Sequence, residues 1–249
     1  MLARITTILA LLFVLVGSAA AQKLEGDYLY RVTTVRAAPG ALANVLEWMT
    51  QQKKSGFYDA AGGYAPFVMR HSQGDQWDLM LITPMHSWSE FYSTSAIQKR
   101  EKAIAVHADL LEIGAELIAF EEDHFAYGPP LSVFKSGYDA NNFFHIEMFE
   151  AVAGKTQDLL QQRRMENSYL AATEQIPNLI FRRAAGSNVD IFTIGFHPSL
   201  ESFAAPGQVS DDEKELAAQN AGFKDRADIS FYLRALIAAH HDTLAVKVN

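Results

Sequence analysis

Residues 116–127 read ELIAFEEDHFAY, and residues 235–246 read ALIAAHHDTLAV. Both run Leu-Ile-Ala, then a polar trio ending in Asp, then an apolar alternation around a second Ala. Leu236 falls on Leu117 at a shift of 119. The echo continues upstream. Residues 67–91, FVMRHSQGDQWDLMLITPMHSWSEF, lie without a gap on residues 179–203, LIFRRAAGSNVDIFTIGFHPSLESF, at a shift of 112. Arg70 meets Arg182, Gly74 meets Gly186, Asp78 meets Asp190 and Phe91 meets Phe203. A weaker match sets residues 30–48, YRVTTVRAAPGALANVLEW, against residues 145–163, HIEMFEAVAGKTQDLLQQR, with Gly40 opposite Gly154 at a shift of 114. Three segments recurring in one order make a tandem duplication, its unit of about 115 residues too long for a solenoid repeat.

Each unit has the same local texture. Residues 28–36 alternate and are rich in Val, Thr and Tyr, which predicts a strand. Pro39-Gly40 breaks the chain, and Leu42, Val45, Leu46 and Met49 then recur at helical spacing. Strands are expected at 66–71 and 77–83 around the glycine turn, a short helix from near Trp88, a long helix over 97–121, and a closing strand at 123–127. The second unit predicts a strand at 143–150, a helix at 154–173, a hairpin at 178–196, helices between 199 and 241, and a strand at 243–248. Residues 127–142, with their proline pair, read as an extended connector.

The order β-α-β-β-α-β is the ferredoxin-like arrangement, which leaves one sheet face bare. Two such faces in one chain can bury each other as a barrel. On element order and strand–hairpin–helix texture the chain resembles the dimeric α+β barrel superfamily in a fused form, with NIPSNAP-like and antibiotic-biosynthesis-monooxygenase-like families as its nearest kin. The resemblance implies an α+β fold of units 22–135 and 136–249 packed sheet to sheet. It permits ligand binding, cofactor-free catalysis and haem handling alike. His124 and His145 are the candidates for an axial nitrogen, and no pattern secures a cofactor.

The first residues stand apart. A short basic start, MLAR, precedes the apolar run ITTILALLFVLVG and the small residues SAAAQ, with Ala19 and Ala21 at Ala-x-Ala positions. This predicts a leader of residues 1–21 removed before Gln22, and hence an exported, periplasmic or secreted protein without a stable membrane anchor. The chain has no Cys, so disulfides and thiolate metal sites are excluded. With 49% hydrophobic residues it can hold itself by its core. A net charge of −8 without a basic run disfavours nucleic acid as a partner. No nucleophile elbow, phosphate loop or dinucleotide fingerprint occurs.

Residues that recur in both units serve the fold. Arg70 with Asp78, and Arg182 with Asp190, stand symmetrically about Gly74 and Gly186, and a regular hairpin would pair them across its strands. Positions that differ are better candidates for chemistry. If Phe144, Ile146 and Met148 face the helices, His145 and Glu147 point into the barrel, with Arg31 and Thr33 as their counterparts. Arg31, His145 and Glu147 would then form a catalytic or anchoring group on opposite walls of one cavity: Arg31 holding an anionic or carbonyl oxygen, His145 carrying a proton, Glu147 orienting the imidazole. Glu121, Glu122, Asp123 and His124 correspond to His240, His241, Asp242 and Thr243. A pseudo-twofold bringing these sets together could supply metal ligands, but their spacing matches no metal motif and no metal is expected.

The expected function is an exported small-molecule-binding protein with its ligand in the barrel. The alternatives are a cofactor-free oxygenase or isomerase using that cavity, and a noncatalytic interaction module. Large residues at every inward strand position would mark the last. A barrel closed within one chain implies a monomer or a weak dimer.

Overall fold

Alternating Val, Thr and Tyr make Tyr28–Ala37 the first strand, β1, of a chain described over residues 23–205 and 207–248 in a computed structural model. The expected leader, residues 1–21, lies outside the described residues. After β1 come helices α1 (Leu42–Lys54) and α2 (Phe57–Ala60) and the hairpin β2 (Phe67–Gln73) and β3 (Leu79–His86). Helices α3 (Trp88–Phe91), α4 (Thr94–Val106) and α5 (Ala108–Leu117) then lead to β4 (Ile118–Gly128). Helix α6 (Leu131–Ala140) precedes β5 (Phe143–Ala151), α7 (Thr156–Ala172), β6 (Leu179–Ala185) and β7 (Ile191–His197). Helices α8 (Leu200–Ala204), α9 (Asp211–Ala221) and α10 (Asp228–Leu236) and the strand β8 (Ile237–Lys247) complete the chain.

The fold is mixed α+β, built on a closed barrel of eight antiparallel strands in the order β1-β3-β2-β8-β5-β7-β6-β4. Each half contributes four adjacent strands, and the halves join where β2 pairs with β8 and β4 with β6. Both edges of each half are thereby consumed, which removes the unpaired backbone that an open sheet exposes.

The two quoted stretches are the closing strands with the last turn of helix before them. In both halves helix passes straight into strand, at Leu117/Ile118 and at Leu236/Ile237. The strand therefore starts about a turn earlier than the predicted 123 and 243, and Glu121, Glu122, His240 and His241 sit on strands rather than at helix ends. The expected single helix over 97–121 is two, α4 and α5, meeting at His107.

The barrel interior is a packed core. Tyr30, Val32, Phe144, Ile146, Phe181, Phe192 and Ile194 come from both halves and share one cluster, all at or near zero exposure. Full burial of side chains of this size stabilises by about 1.5–3 kcal/mol each. The predicted connector contributes to it: residues 131–140 are helix α6, and its Phe134 and Tyr138 pack on Tyr30, Phe67, Phe144 and Phe196. Pro130 ends the extended segment, and Leu131, Phe134 and Tyr138 at spacings of three and four supply an apolar stripe. Outside the barrel, Val35, Val45, Met49 and Leu79 form a smaller core under α1, and Phe149, Leu159, Leu160 and Leu233 form another under α7 and α10.

The hairpin ion pairs fall out differently. Arg70 is opposite Leu79 and Arg182 opposite Ile191, a register one residue away from symmetry about the glycines, so each Arg and Asp lie on opposite faces. Asp78 and Asp190 instead accept the backbone N–H of Ala37 and Ala151 at 2.8 and 2.9 Å, capping the first strand of each half. Arg182 bonds Asp27 at 2.7 Å, and Arg183 takes Asp190 at 2.5 Å. The glycines recur for a tertiary reason: both have positive φ, and a Cβ at Gly74 or Gly186 would lie 2.3 or 3.0 Å from the carbonyl oxygen of Asp242 or Asp123. Each hairpin tip thus lies against the closing strand of the other half. Among the described residues no helix is long and apolar enough to cross a membrane.

Candidate active site

Strand parity decides which residues can do chemistry. Phe144, Ile146 and Met148 face into the barrel, so His145, Glu147 and Phe149 face outward, toward the helices. The expected orientation is reversed, because the larger apolar run belongs to the closed interior rather than to the helix layer. On the neighbouring strand Asp242 lies opposite Glu147, and His240 opposite Phe149, so these residues share the outer face.

The outer face of β5 and β8 carries a connected polar group. His145 Nε2 lies 2.5 Å from Asp242 Oδ1. The Glu147 carboxylate accepts from the Thr193 hydroxyl at 3.1 Å and from Arg163 Nη1 at 3.4 Å. His240, stacked on Phe149, brings Nε2 to 3.7 Å from Glu147 Oε1. Arg163 is fully buried, stands 4.6 Å over the Phe149 ring and also holds Glu166. Burial alone would push the Glu147 carboxyl up, but the approach of His240 and the charges of Arg163 and His145 outweigh it and hold it at about 2. Glu166 goes the other way: burial raises its pKa, and the negative Glu147 adds to that against the pull of Arg163. Two carboxyls around one guanidinium are thus driven apart, one ionised and one toward its neutral form.

A pocket of about 510 Å³ opens beside this group, with His145, Glu147, Glu166, Asn178, His197 and Phe203 in its lining. Gly195 lies opposite His145, and a Cβ there would stand 2.7 Å from Asn178 Oδ1 and 3.0 Å from His197 Nε2. A side chain at this position would displace both. Burial, and then the neighbouring His145, lower the His197 pKa, favouring a neutral imidazole.

The expected three-residue site is divided. Arg31 occupies the same outward position in the first half, where its Nη1 lies 3.8 Å from Asp123 and it lines a separate cavity with Tyr58 and Phe91. Arg31 therefore does not face His145 and Glu147 across one chamber. Nor do the two polar trios meet, because β4 and β8 are separated by three strands either way around the barrel. Each trio supplies its Asp to the first strand of its own half. His124 points inward and packs against Phe192, opposite in sense to His145, so the two imidazoles cannot share a haem. His124 does not fit the group, because the filled barrel surrounds it. For a metal, the donor atoms of His145, Glu147 and Asp242 lie within 4.8 Å of one another, a gathering the sequence spacing does not predict.

Sequence reasoning missed Arg163, Glu166, Asn178 and His197. One signal was present. In α7, positions 159, 163, 166 and 170 form one helical face, and two of them are charged where Leu159 and Leu170 are apolar.

No family model and no curated protein matches the chain. Solved structures do. One described as an anthrone oxidase-like protein covers 91% of this chain and 94% of its own, at 12% identity and a TM-score of 0.57. A mutant chlorite dismutase from Candidatus Nitrospira defluvii covers 91% and 94%, at 11% identity and a TM-score of 0.50. At such identities the likeness speaks for the fold alone: a mixed α+β fold on a closed eight-stranded antiparallel barrel, consistent with a dimeric α+β barrel.

The expectation of a binding protein with its ligand inside the barrel is overturned. Side chains fill the barrel, and the solved structures that share its fold carry the names of catalysts. The filled barrel is the mark expected of the noncatalytic alternative, while the groups capable of chemistry lie on its outer face.

Proposed function

We propose that the chain is an enzyme, and that His145 removes a proton from a small organic molecule held in the outer pocket of the second half. The observation that carries this is the contact of 2.5 Å between His145 Nε2 and Asp242 Oδ1 at the edge of that pocket. The carboxylate accepts the Nε2–H, fixes the tautomer with its lone pair on Nδ1, and stabilises the imidazolium formed on proton transfer. Glu166, driven toward its neutral form, lines the same pocket. Glu147, ionised and held by Arg163 and Thr193, places a second carboxylate on the same face as His145.

The names of the similar structures favour an oxidative outcome. The substrate class is then a weak carbon acid, and anthrone is the first probe. A methylene and dioxygen give a carbonyl and water; the base takes the first proton and returns it to that water. Oxygen uptake with anthrone is expected in the intact protein, lost in His145→Ala and cut by about 10²–10⁴ in Asp242→Asn. Uptake that both variants leave unchanged would sink the assignment.

A second reading rests on the gathering of His145, Glu147 and Asp242 within 4.8 Å, which suits a divalent cation. Arg163 beside Glu147 weighs against it. Stoichiometric metal in the purified protein, lost in Asp242→Asn, would favour this reading; full activity in chelator would remove it. For the architecture we propose two fused ferredoxin-like units, 22–135 and 136–249, of the antibiotic-biosynthesis-monooxygenase-like or NIPSNAP-like kind. The strand order β4-β1-β3-β2 in one half and β8-β5-β7-β6 in the other supports that division.

A further inference from the structure

The first half holds a second cavity, and it differs in kind. Its outer part measures about 490 Å³ and is lined by Phe57, Tyr58, Met85, Phe91, Arg31 and Arg100 among others. An inner chamber of about 280 Å³ continues from it under α1, walled by Val45, Trp48, Met49, Leu81, Leu111 and Ile118. Arg31, Phe57, Tyr58, Thr83 and Ile104 line both, so the guanidinium stands at the junction of an aromatic mouth and an apolar chamber.

Comparison with the other half explains the space. At the shift of 114, Thr33 stands for Glu147, Val35 for Phe149 and Met49 for Arg163. In the second half Phe149, Glu147 and Arg163 fill the room between sheet and helix with a ring and an ion pair. In the first half the smaller Thr and Val and the flexible Met leave it open. The space beneath α1 is open where the matching space beneath α7 holds a ring and an ion pair.

The charge at the junction is only loosely paired. Arg31 Nε is buried without a hydrogen-bond partner. Its nearest carboxylate, Asp123, stays 3.8 Å from Nη1 and accepts from the Thr33 hydroxyl instead. Arg100 adds a second cation at the mouth, stacked 3.9 Å over Phe91, against one carboxylate there, Glu90. Glu121 lines the inner chamber, where burial and then Asp123 push its carboxyl toward the neutral form. Tyr58 is spoken for by Gln52, its hydroxyl donating to Oε1 at 2.5 Å.

We propose that this cavity binds an apolar monocarboxylate, with the carboxylate on Arg31 and the hydrocarbon body in the chamber beneath α1. A half-exposed guanidinium held loosely by one carboxylate at 3.8 Å can take a planar oxyanion on its fork, and the apolar walls reward a body that leaves water. The site lies in the half that carries no His145, so it goes beyond the enzymatic reading and stands or falls separately from it.

Calorimetric titration of the intact protein with 2-naphthoate, decanoate and their neutral amides tests the proposal. At least one acid is expected to bind, with its amide and the Arg31→Gln variant each weakening binding tenfold or more. Naphthoate alone would assign an aromatic body, and decanoate alone an acyl chain. Ile104→Trp, at a half-exposed position where the fold is little disturbed, is expected to block entry. No binding of either acid up to about 1 mM, or amides and Arg31→Gln that bind as well as the parent pair, would overturn it.

Discussion

His145 Nε2 meets Asp242 Oδ1 at 2.5 Å, and the corresponding residues of the first half, Arg31 and Asp123, meet at 3.8 Å. One geometric relation thus occurs twice in the barrel: an outward cation-forming residue of the first strand of each half, faced by the Asp of its closing strand. Only the second has the chemistry for proton transfer, since a guanidinium does not release its proton.

Asp242 is therefore expected to matter for turnover far more than for stability. Its side chain is half-exposed, and an exposed pair is worth about 0–1 kcal/mol. Asp242→Asn should leave the melting temperature nearly unchanged while lowering kcat by about 10²–10⁴. A large loss of stability with kcat retained would make the pair structural.

The buried Arg163 should behave in the opposite way. Arg163→Met copies the first half's Met49 but leaves Glu147 and Glu166 without their cation, at a cost of about 3–5 kcal/mol. Adding Glu147→Thr, the first half's Thr33, removes the stranded charge and should recover at least half of that loss in urea denaturation. A double variant no more stable than the single would show that the two halves cannot be interchanged here.

Acid sensitivity should appear first through His124. Burial in the barrel lowers its pKa from 6.5 to about 4, with nearby Asp123 opposing. The unfolded chain then binds a proton that the native chain refuses, so the stabilising difference is complete above pH 6.5 and is lost as pH falls toward 4. The window corresponds to about 3 kcal/mol. Glu147, held at about 2, adds its own loss only below its ordinary 4.5. Melting curves between pH 7 and pH 4.5 should flatten in His124→Leu; an unchanged slope would assign the effect elsewhere.

Because the barrel closes within one chain, sedimentation should show a monomer or a weak dimer. A fragment of residues 22–135 exposes the free sides of β2 and β4 and the apolar face of its half-barrel, and should self-associate. A stable monomeric fragment would contradict this.

For the N-terminus we propose removal of residues 1–21 on export, so that intact mass should begin at Gln22. A soluble protein recovered with all of residues 1–21 would refute it.

The sequence by itself showed the recurring segments and most of the alternation of strands and helices. These are local or periodic properties, and a repeat shows them twice. Three things waited on the tertiary structure. Whether Phe144 or His145 faces inward depends on which side of the sheet is enclosed, and alternation alone leaves both choices open. The apolar stripe of Leu131, Phe134 and Tyr138 was there to read, but its role as the plug of the barrel was not. The partners of His145 come from β8, nearly a hundred residues away, and the support of Glu147 comes from α7 and β7. Linear spacing does not encode such meetings; the barrel's strand order makes them, and it alone sets β8 beside β5 while keeping it three strands from β4.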